Sequence, residues 1–215
     1  MVEIIIPFKP HSPKSRLSDV LSLEERNKLM NYMLLDVIDT AKECSKDVVV
    51  LSSGKIGFAV GCEVIEDSRS LNEAVNSVID KNVAIIMSDL PLLTREVLER
   101  FLRCEGDVVI APGRRCGTNM LLVRDERFRV SYHYGSFIKH VKIAEMLGMN
   151  ITIFDSFYAW VDIDDRNDLL ELMIHGEGRS KHYLEKIGFR VDYKKDPILC
   201  RMQNSEVHTI EKSTG

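Results

Sequence analysis

"AIIMSDLPLL" (84–93) poses the question around which the rest of the chain is arranged. Its opening residues are apolar on both faces, as in a strand covered on each side by helices. The run then ends in Asp89, a carboxylate that loses hydration at the lip of a hydrophobic element unless a positive or hydrogen-bonding group compensates it. Pro91 forbids further strand pairing. Asp89 is therefore either a side chain projected into a ligand crevice or an ordinary turn or helix-capping residue.

Similar runs recur at 2–8, 47–53, 62–65, 83–89, 107–112, 119–124, 150–155 and 158–163, most of them rich in Val and Ile. Helix-period segments lie between them. Over 24–43, Leu29, Met33, Leu34, Val37, Ile38 and Ala41 keep to one face, and Ser22 with Glu25 supplies a capping-box start. The spacing predicts further helices over 70–81, 94–103, 136–147 and 165–174. Strand and helix in alternation predict an α/β fold with a mostly parallel sheet. Ligands of such sheets bind beyond the carboxyl ends of the strands, and Asp89 stands at one of those ends. From about 176 the pattern weakens, so the chain divides into a main domain, 1–175, and an appendage, 176–215. The appendage is predicted to hold a short helix at 180–187, a strand at 189–193 and a polar tail with a disordered end. As an interface element it would leave room for a homodimer.

The formal net charge of -4 over 215 residues gives no general attraction to phosphate backbones or anionic lipid. Neither nucleic acid nor a membrane is an expected partner, and no segment approaches the ~20 apolar residues of a membrane span. The five cysteines are odd in number and show no CxxC spacing, which reads as reduced thiols in a cytoplasmic protein. The N-terminal run lacks the features of a secretory leader.

Several constellations carry chemistry. In "WVDIDDRNDL" (160–169), a strand would place Asp162 and Asp164 on one face and Val161 and Ile163 on the other. Clustered like charges suggest a cation between them, and all-oxygen ligands suit Mg²⁺ or Mn²⁺. Alternatively Asp164 or Asp165 caps the following helix. In "PFKPHSPKSRLS" (7–18), Lys9, Lys14 and Arg16 follow the first strand, where they either meet a phosphate-bearing ligand or form a solvated loop. No P-loop or dinucleotide fingerprint is present. Asn72 opens a helix as a cap or as a partner for a base or ribose. Thr118 after Gly117 offers a hydroxyl and exposed N–H groups, and Gly135 with Ser136 precedes a helix whose N-terminal amides suit an anion, unless Ser136 is a plain cap. The six histidines are scattered, without triad or zinc spacing, and His140 reads as a structural residue.

In order and spacing, "PFKP" and "PKSRL" (7–17), "SLNEAV" (70–75), "SDLPLL" (88–93), "GTNMLL" (117–122), "YGSFIKH" (134–140) and "VDIDDRNDL" (161–169) resemble the 2-phospho-L-lactate guanylyltransferase family of coenzyme F-420 biosynthesis. The resemblance covers about 1–172. It implies a Rossmann-like, glycosyltransferase-A-like nucleotidyltransferase fold of three layers with a mostly parallel mixed sheet. It also implies transfer of GMP from GTP to 2-phospho-L-lactate, or to phosphoenolpyruvate as in some relatives, with Mg²⁺ or Mn²⁺. By position, Asp89, Asp162 and Asp164 would bind the metal, Lys14 and Arg16 would face the triphosphate, Asn72 would lie by the nucleotide, and Thr118, Gly135 and Ser136 would hold the phospho-acid. Two departures stand out: Gly135 and Ser136 are adjacent where the family spaces them, and Arg114 and Arg115 precede Gly117 where relatives carry acidic or small residues. Other readings are a metal-dependent glycosyltransferase and a nucleotide-sensing or partner-binding module.

Overall fold

The first strand, β1 (Glu3–Phe8), shows why its sequence is apolar from Ile4 onward. Ile4 and Ile6 point into a core on one face of the sheet, with Leu34, Val37 and Ile38 of helix α1 (Leu23–Cys44) and Val97, Leu98 and Phe101 of α3 (Arg95–Arg103). Ile5 points into a second core on the other face, with Ala74 and Val75 of α2 (Leu71–Val78) and Ala144 of α4 (Ser136–Met146). With both faces buried, alternation leaves no position for a polar side chain. The computed structural model describes residues 2–10, 14–203 and 206–209.

The remaining strands of this sheet are β2 (Val48–Ser52), β3 (Glu63–Glu66), β4 (Val83–Ile86), β5 (Val108–Gly113), β6 (Gly117–Val123) and β7 (Ile151–Ile153). Their order is β3-β2-β1-β4-β6-β5-β7. All pairings are parallel except those of β6, which runs antiparallel to both β4 and β5. The first residues of β6 thus lie at the sheet edge where the other strands end. The capping box predicted at Ser22 and Glu25 forms, and Ser70 with Glu73 makes another at α2.

Two expectations are corrected. The segment 158–163 is not a strand: Phe157–Trp160 forms a short helix, α5, and 161–164 has no regular structure. The alternation that suggested a strand is real, since Val161 and Ile163 are buried. Those side chains fill a third core with Leu169 and Leu172 of α6 (Arg166–His175), and the segment joins no ladder. The stretch after 193 is not simply a polar tail. The strands β8 (Phe189–Asp192), β9 (Ile198–Gln203) and β10 (Glu206–Thr209) form an antiparallel sheet in the order β10-β9-β8, following α7 (Arg179–Lys186). Phe189 and Leu199 seal the third core together with Leu17, Leu29 and Met33. The helix expected at 180–187 and the strand expected at 189–193 form as α7 and β8, whereas charged residues flanking a short apolar run hid β9 and β10. The expected disorder of the chain end falls on 210–215, outside the described residues.

Arg201 on β9 reaches back to the start of the chain. Its guanidinium donates to the Val20 carbonyl (2.9 Å) and to the Glu25 carboxylate, and lies over the Phe189 ring. Among the described residues no helix is long and apolar enough to cross a membrane.

Candidate active site

Asp89 follows β4 in a turn closed by Leu93 N–H donating to Leu90 O (3.0 Å), and Thr94, not Asp89, caps α3. Its carboxylate is left to the crevice, where Asp89, Asp162 and Asp164 each present an oxygen within 4.8 Å of one another. The three carboxylates that the sequence reading grouped do lie together, but Asp162 and Asp164 come from an irregular segment and not from a strand. One tie joins the two segments: Ile163 N–H donates to Asp89 O (3.1 Å).

The ammonium of Lys14 sits between two of these carboxylates, 2.7 Å from Asp89 Oδ2 and 2.7 Å from Asp164 Oδ1, and Arg16 approaches Asp164 at 3.4 Å. Burial alone would depress the Lys14 pKa, but Asp89 and Asp164 outweigh it and raise it. Asp164 shows the converse: burial pushes its carboxyl up, and the Lys14 ammonium overrides this and holds it low. Asp162 gets no such relief. Burial, then the charges of Asp89 and Asp164, raise its pKa, and its Oδ1 is buried without a hydrogen-bond partner. An orphaned carboxylate oxygen on a residue clustered with two other carboxylates fits a hard divalent cation.

The loop carrying Asp164 is clamped from behind. Asp165 caps α6 and Asp168 completes a capping box, accepting from the N–H groups of Asp164 and Asp165 (2.8 Å each). This explains which of the neighbouring aspartates caps: Asp165 does, which releases Asp164 to the crevice. Asp168 is only 1% exposed and is neutralised by Arg114, while Arg115 donates to Asp165 (3.1 Å). The two arginines that depart from the family pattern therefore pair with the loop's own acids. Holding them there places Arg115 and Cys116 at φ of 53° and 63°, a left-handed backbone that costs non-glycine residues of order 1–3 kcal/mol each. At the same hairpin Asn119 Nδ2 donates to the carbonyls of Ala159 (2.9 Å) and Trp160 (3.1 Å). Gly113 makes the space, since a Cβ there would lie 2.1 Å from Asn119 Oδ1.

Asp89 and Asp164 of the acidic cluster line a cavity of about 370 Å³ together with Phe8, Lys9, Lys14, Arg16 and Ser88. A groove of about 560 Å³ shares Phe8, Lys9 and Ser88 with it and runs to Arg69 and Ser70 at the start of α2. Asn72 lies apart from Lys14 and the carboxylates. Its Oδ1 accepts from Tyr132 N–H (2.6 Å) and its Nδ2 meets His133 Nε2 (2.9 Å), and the cap it was expected to provide belongs to Ser70.

A second cluster gathers Thr118 and Ser136 around His140. Thr118 Oγ1 lies 2.9 Å from His140 Nδ1 and 3.3 Å from Ser136 Oγ, and His140 Nε2 accepts from Ser131 N–H (2.9 Å). All three side chains are buried, and burial pushes the His140 pKa down to about 4. Gly135 is the N-cap of α4 with φ 68° and makes no side-chain cap, and a Cβ there would meet nothing within 4 Å. The amides of this helix start are thus left without a side-chain cap beside open space.

The family model described as "Guanylyl transferase CofC like" matches residues 2–205. The chain belongs to this guanylyl transferase family. Among its members, the 2-phospho-L-lactate guanylyltransferase of Archaeoglobus fulgidus is 56% identical over 202 residues, covering 93% of this chain and 97% of the relative. That of Ferroglobus placidus is 53% identical over 203 residues, covering 93% and 100%. The CofC-like chain also shares its fold with a protein named as a nucleotide-diphospho-sugar transferase from Desulfovibrio desulfuricans, with a TM-score of 0.69 at 15% identity over 86% of this chain and 95% of the other. A cytidylyltransferase from Leptospira borgpetersenii matches with a TM-score of 0.52 at 14% identity, over 86% and 93%. The fold is thus the α/β nucleotidyltransferase fold with a mostly parallel mixed sheet. What sequence reasoning missed in this CofC-like site is its support: Asn119 with Gly113, Arg114 with Asp168, and His140. A signal was present for Asp168, three residues after Asp165 in a capping-box spacing.

Proposed function

We propose that this protein transfers a guanylyl group from GTP to the phosphate of 2-phospho-L-lactate, releasing pyrophosphate, as a step in coenzyme F-420 biosynthesis. The relatives carry that activity in their names at up to 56% identity over nearly the whole chain. The observation that carries the reading to the residues is the orphaned oxygen of Asp162 within the Asp89–Asp162–Asp164 cluster, two members of which line a cavity together with Lys14 and Arg16.

A phosphate oxygen of the acceptor attacks the α-phosphorus of GTP while the bond to the β-phosphate oxygen breaks and pyrophosphate departs with the electron pair. Both partners are anionic, so repulsion is the main obstacle. Asp89, Asp162 and Asp164 are the residues that would hold Mg²⁺ or Mn²⁺. When bound there, the ion would supply neutralising charge for the phosphates. Lys14 and Arg16 grip the phosphates that leave, stabilising charge as it builds on pyrophosphate. The base extends along the groove toward Arg69 and Ser70. Asn72, at the nucleotide side, has a second amide N–H and a second carbonyl lone pair to offer after its bonds to Tyr132 and His133. Thr118, Ser136 and the amides beyond Gly135 hold the acceptor. The nucleophile needs no general base, because a phosphate monoester with a second pKa of ~6 is already ionised at neutral pH. The cytoplasm is the inferred compartment, in keeping with five free thiols.

The test is a grid of nucleoside triphosphates against 2-phospho-L-lactate and phosphoenolpyruvate, with Mg²⁺, reading pyrophosphate release and the new nucleotide by mass. GTP with phospholactate is expected to give the fastest release. No release with any pairing would overturn the reading, and faster release with phosphoenolpyruvate would reassign the acceptor.

A further inference from the structure

The His140 ring is fully buried among Phe128, Tyr132 and the side chains of α4, and its tautomer follows from its two neighbours. Ser131 N–H can only donate, so Nε2, 2.9 Å away, must present its lone pair. A neutral imidazole then carries its single proton on Nδ1, which donates to Thr118 Oγ1 at 2.9 Å. Burial keeps the ring neutral at physiological pH.

This has a consequence for the Thr118–Ser136 pair, whose oxygens lie 3.3 Å apart. Two hydroxyls bring two protons, and one is spent on the bond between them, whichever way it runs. The other finds no acceptor among the described residues. Were His140 the opposite tautomer, Nδ1 would accept that proton and the pair would be closed. With Nδ1 donating, the pair is left as a net donor. A buried donor without a partner is destabilising unless a ligand oxygen accepts from it. The uncapped amides at the start of α4 are donors too. Both therefore favour an anionic oxygen over a hydroxyl proton or a cation.

We propose that His140 is a positioning residue that fixes the Thr118–Ser136 hydroxyl pair as a hydrogen-bond donor to a carboxylate or phosphate oxygen of the phospho-acid acceptor. The inference rests on the assignment of Thr118 and Ser136 to the acceptor. His140 touches neither substrate and acts through Thr118.

Side-chain geometry supplies the test. His140→Asn keeps an N–H at the Nδ1 position, His140→Gln keeps an acceptor near the Nε2 position for Ser131 but no donor toward Thr118, and His140→Leu keeps neither. Steady-state kinetics with GTP and 2-phospho-L-lactate should show an acceptor KM about threefold from wild type or closer for Asn, and about tenfold higher or more for Gln and Leu. The KM for GTP should stay unchanged throughout. Equal rises in both KM values for all three variants, tracking a fall in Tm, would make His140 merely structural and overturn the proposal. So would a wild-type acceptor KM in the Gln variant. Thr118→Val distinguishes the layers: if it leaves acceptor KM unchanged, the acceptor assignment fails. If it raises the KM while His140→Gln does not, only the role of His140 fails. Should the variants not fold, ¹⁵N NMR of the wild-type imidazole decides: a protonated Nδ1 and bare Nε2 supports the proposal, and the reverse tautomer or an imidazolium overturns it.

Discussion

Lys14 Nζ stands 2.7 Å from Asp89 Oδ2, so an ammonium from the first loop occupies ground next to the carboxylate in the turn that follows the fourth strand. The same nitrogen is 2.7 Å from Asp164. In this arrangement Lys14 competes with any divalent cation for the carboxylates, and a displaced ammonium remains in the lining of the cavity. Lys14→Ala should therefore bind Mn²⁺ more tightly in the absence of nucleotide, while turnover falls on the order of 10²-fold through loss of charge stabilisation. Titration by electron paramagnetic resonance separates the effects. Weaker Mn²⁺ binding in the variant would contradict the competition.

Asp162→Asn removes one of three crowded negative charges without changing shape. Its Tm in chelator should match or exceed that of the parent, since the carboxylate it replaces is buried with one oxygen unpartnered. Millimolar Mg²⁺ or Mn²⁺ should raise the parent's Tm by linkage and leave the variant's nearly unmoved. An equal metal-induced rise in both would remove Asp162 from the ligand set.

The low pKa of His140 predicts how acid acts on stability. Folding lowers the pKa from its ordinary 6.5 to about 4. Between those values the unfolded chain binds the proton and the folded one does not, so stability falls as pH drops through that window. The stability associated with the neutral ring is complete above about 6.5 and lost by about 4, a change of about 3 kcal/mol at roughly 1.4 kcal/mol per unit. Subtracting the pH dependence of urea unfolding for His140→Asn from that of the parent isolates it. A flat difference between pH 4 and 7 would contradict the assignment.

Gly113→Ala tests a demand for space, since the φ of -113° suits any residue. The new methyl would meet the Asn119 amide, which must then release Ala159 or Trp160. A loss of about 1–3 kcal/mol is expected from overpacking. The metal-dependent rise in Tm should shrink as well, because those carbonyls lead directly into Asp162. Unchanged stability and metal response would mean that Asn119 has another place to go.

Asp168→Ala should cost about 3–5 kcal/mol by stranding Arg114 and two loop amides. Arg114→Met should cost a comparable amount, because it strands the Asp168 carboxylate, which is 1% exposed. Urea unfolding of the pair and the double variant reads the coupling. Independent, additive losses would show that the contact carries no energy.

The strands were legible because burial on both faces imposes an unbroken apolar run, as in β1 and β4. The direction of β6 was not, since antiparallel pairing leaves no mark on a strand already buried on both sides. Residue type identified Asp89, Asp162 and Asp164, whereas their grouping depends on Lys14, 75 and 150 residues from two of them, and on a backbone bond from Ile163. Only the ordered resemblance to a family bridged such distances. His140 looked structural because its apolar helix neighbours were visible and Thr118, 22 residues back, was not. Asn119 and Gly113 carry no signal separately, because one residue's role is the room left by the other.

Arg201 has a consequence for how the enzyme comes into being. It braces Val20 and Glu25, at the threshold of α1, and Arg26 in the next position donates to the carbonyl of Lys14 (3.4 Å). Domains made on the ribosome tend to fold from the N-terminal side as they emerge. Here the whole seven-stranded sheet leaves the exit tunnel before β9 does. A nascent chain can thus assemble the sheet and present Asp89 while the third core behind Asp162 and Asp164, and the loop that presents Lys14, still wait for β9.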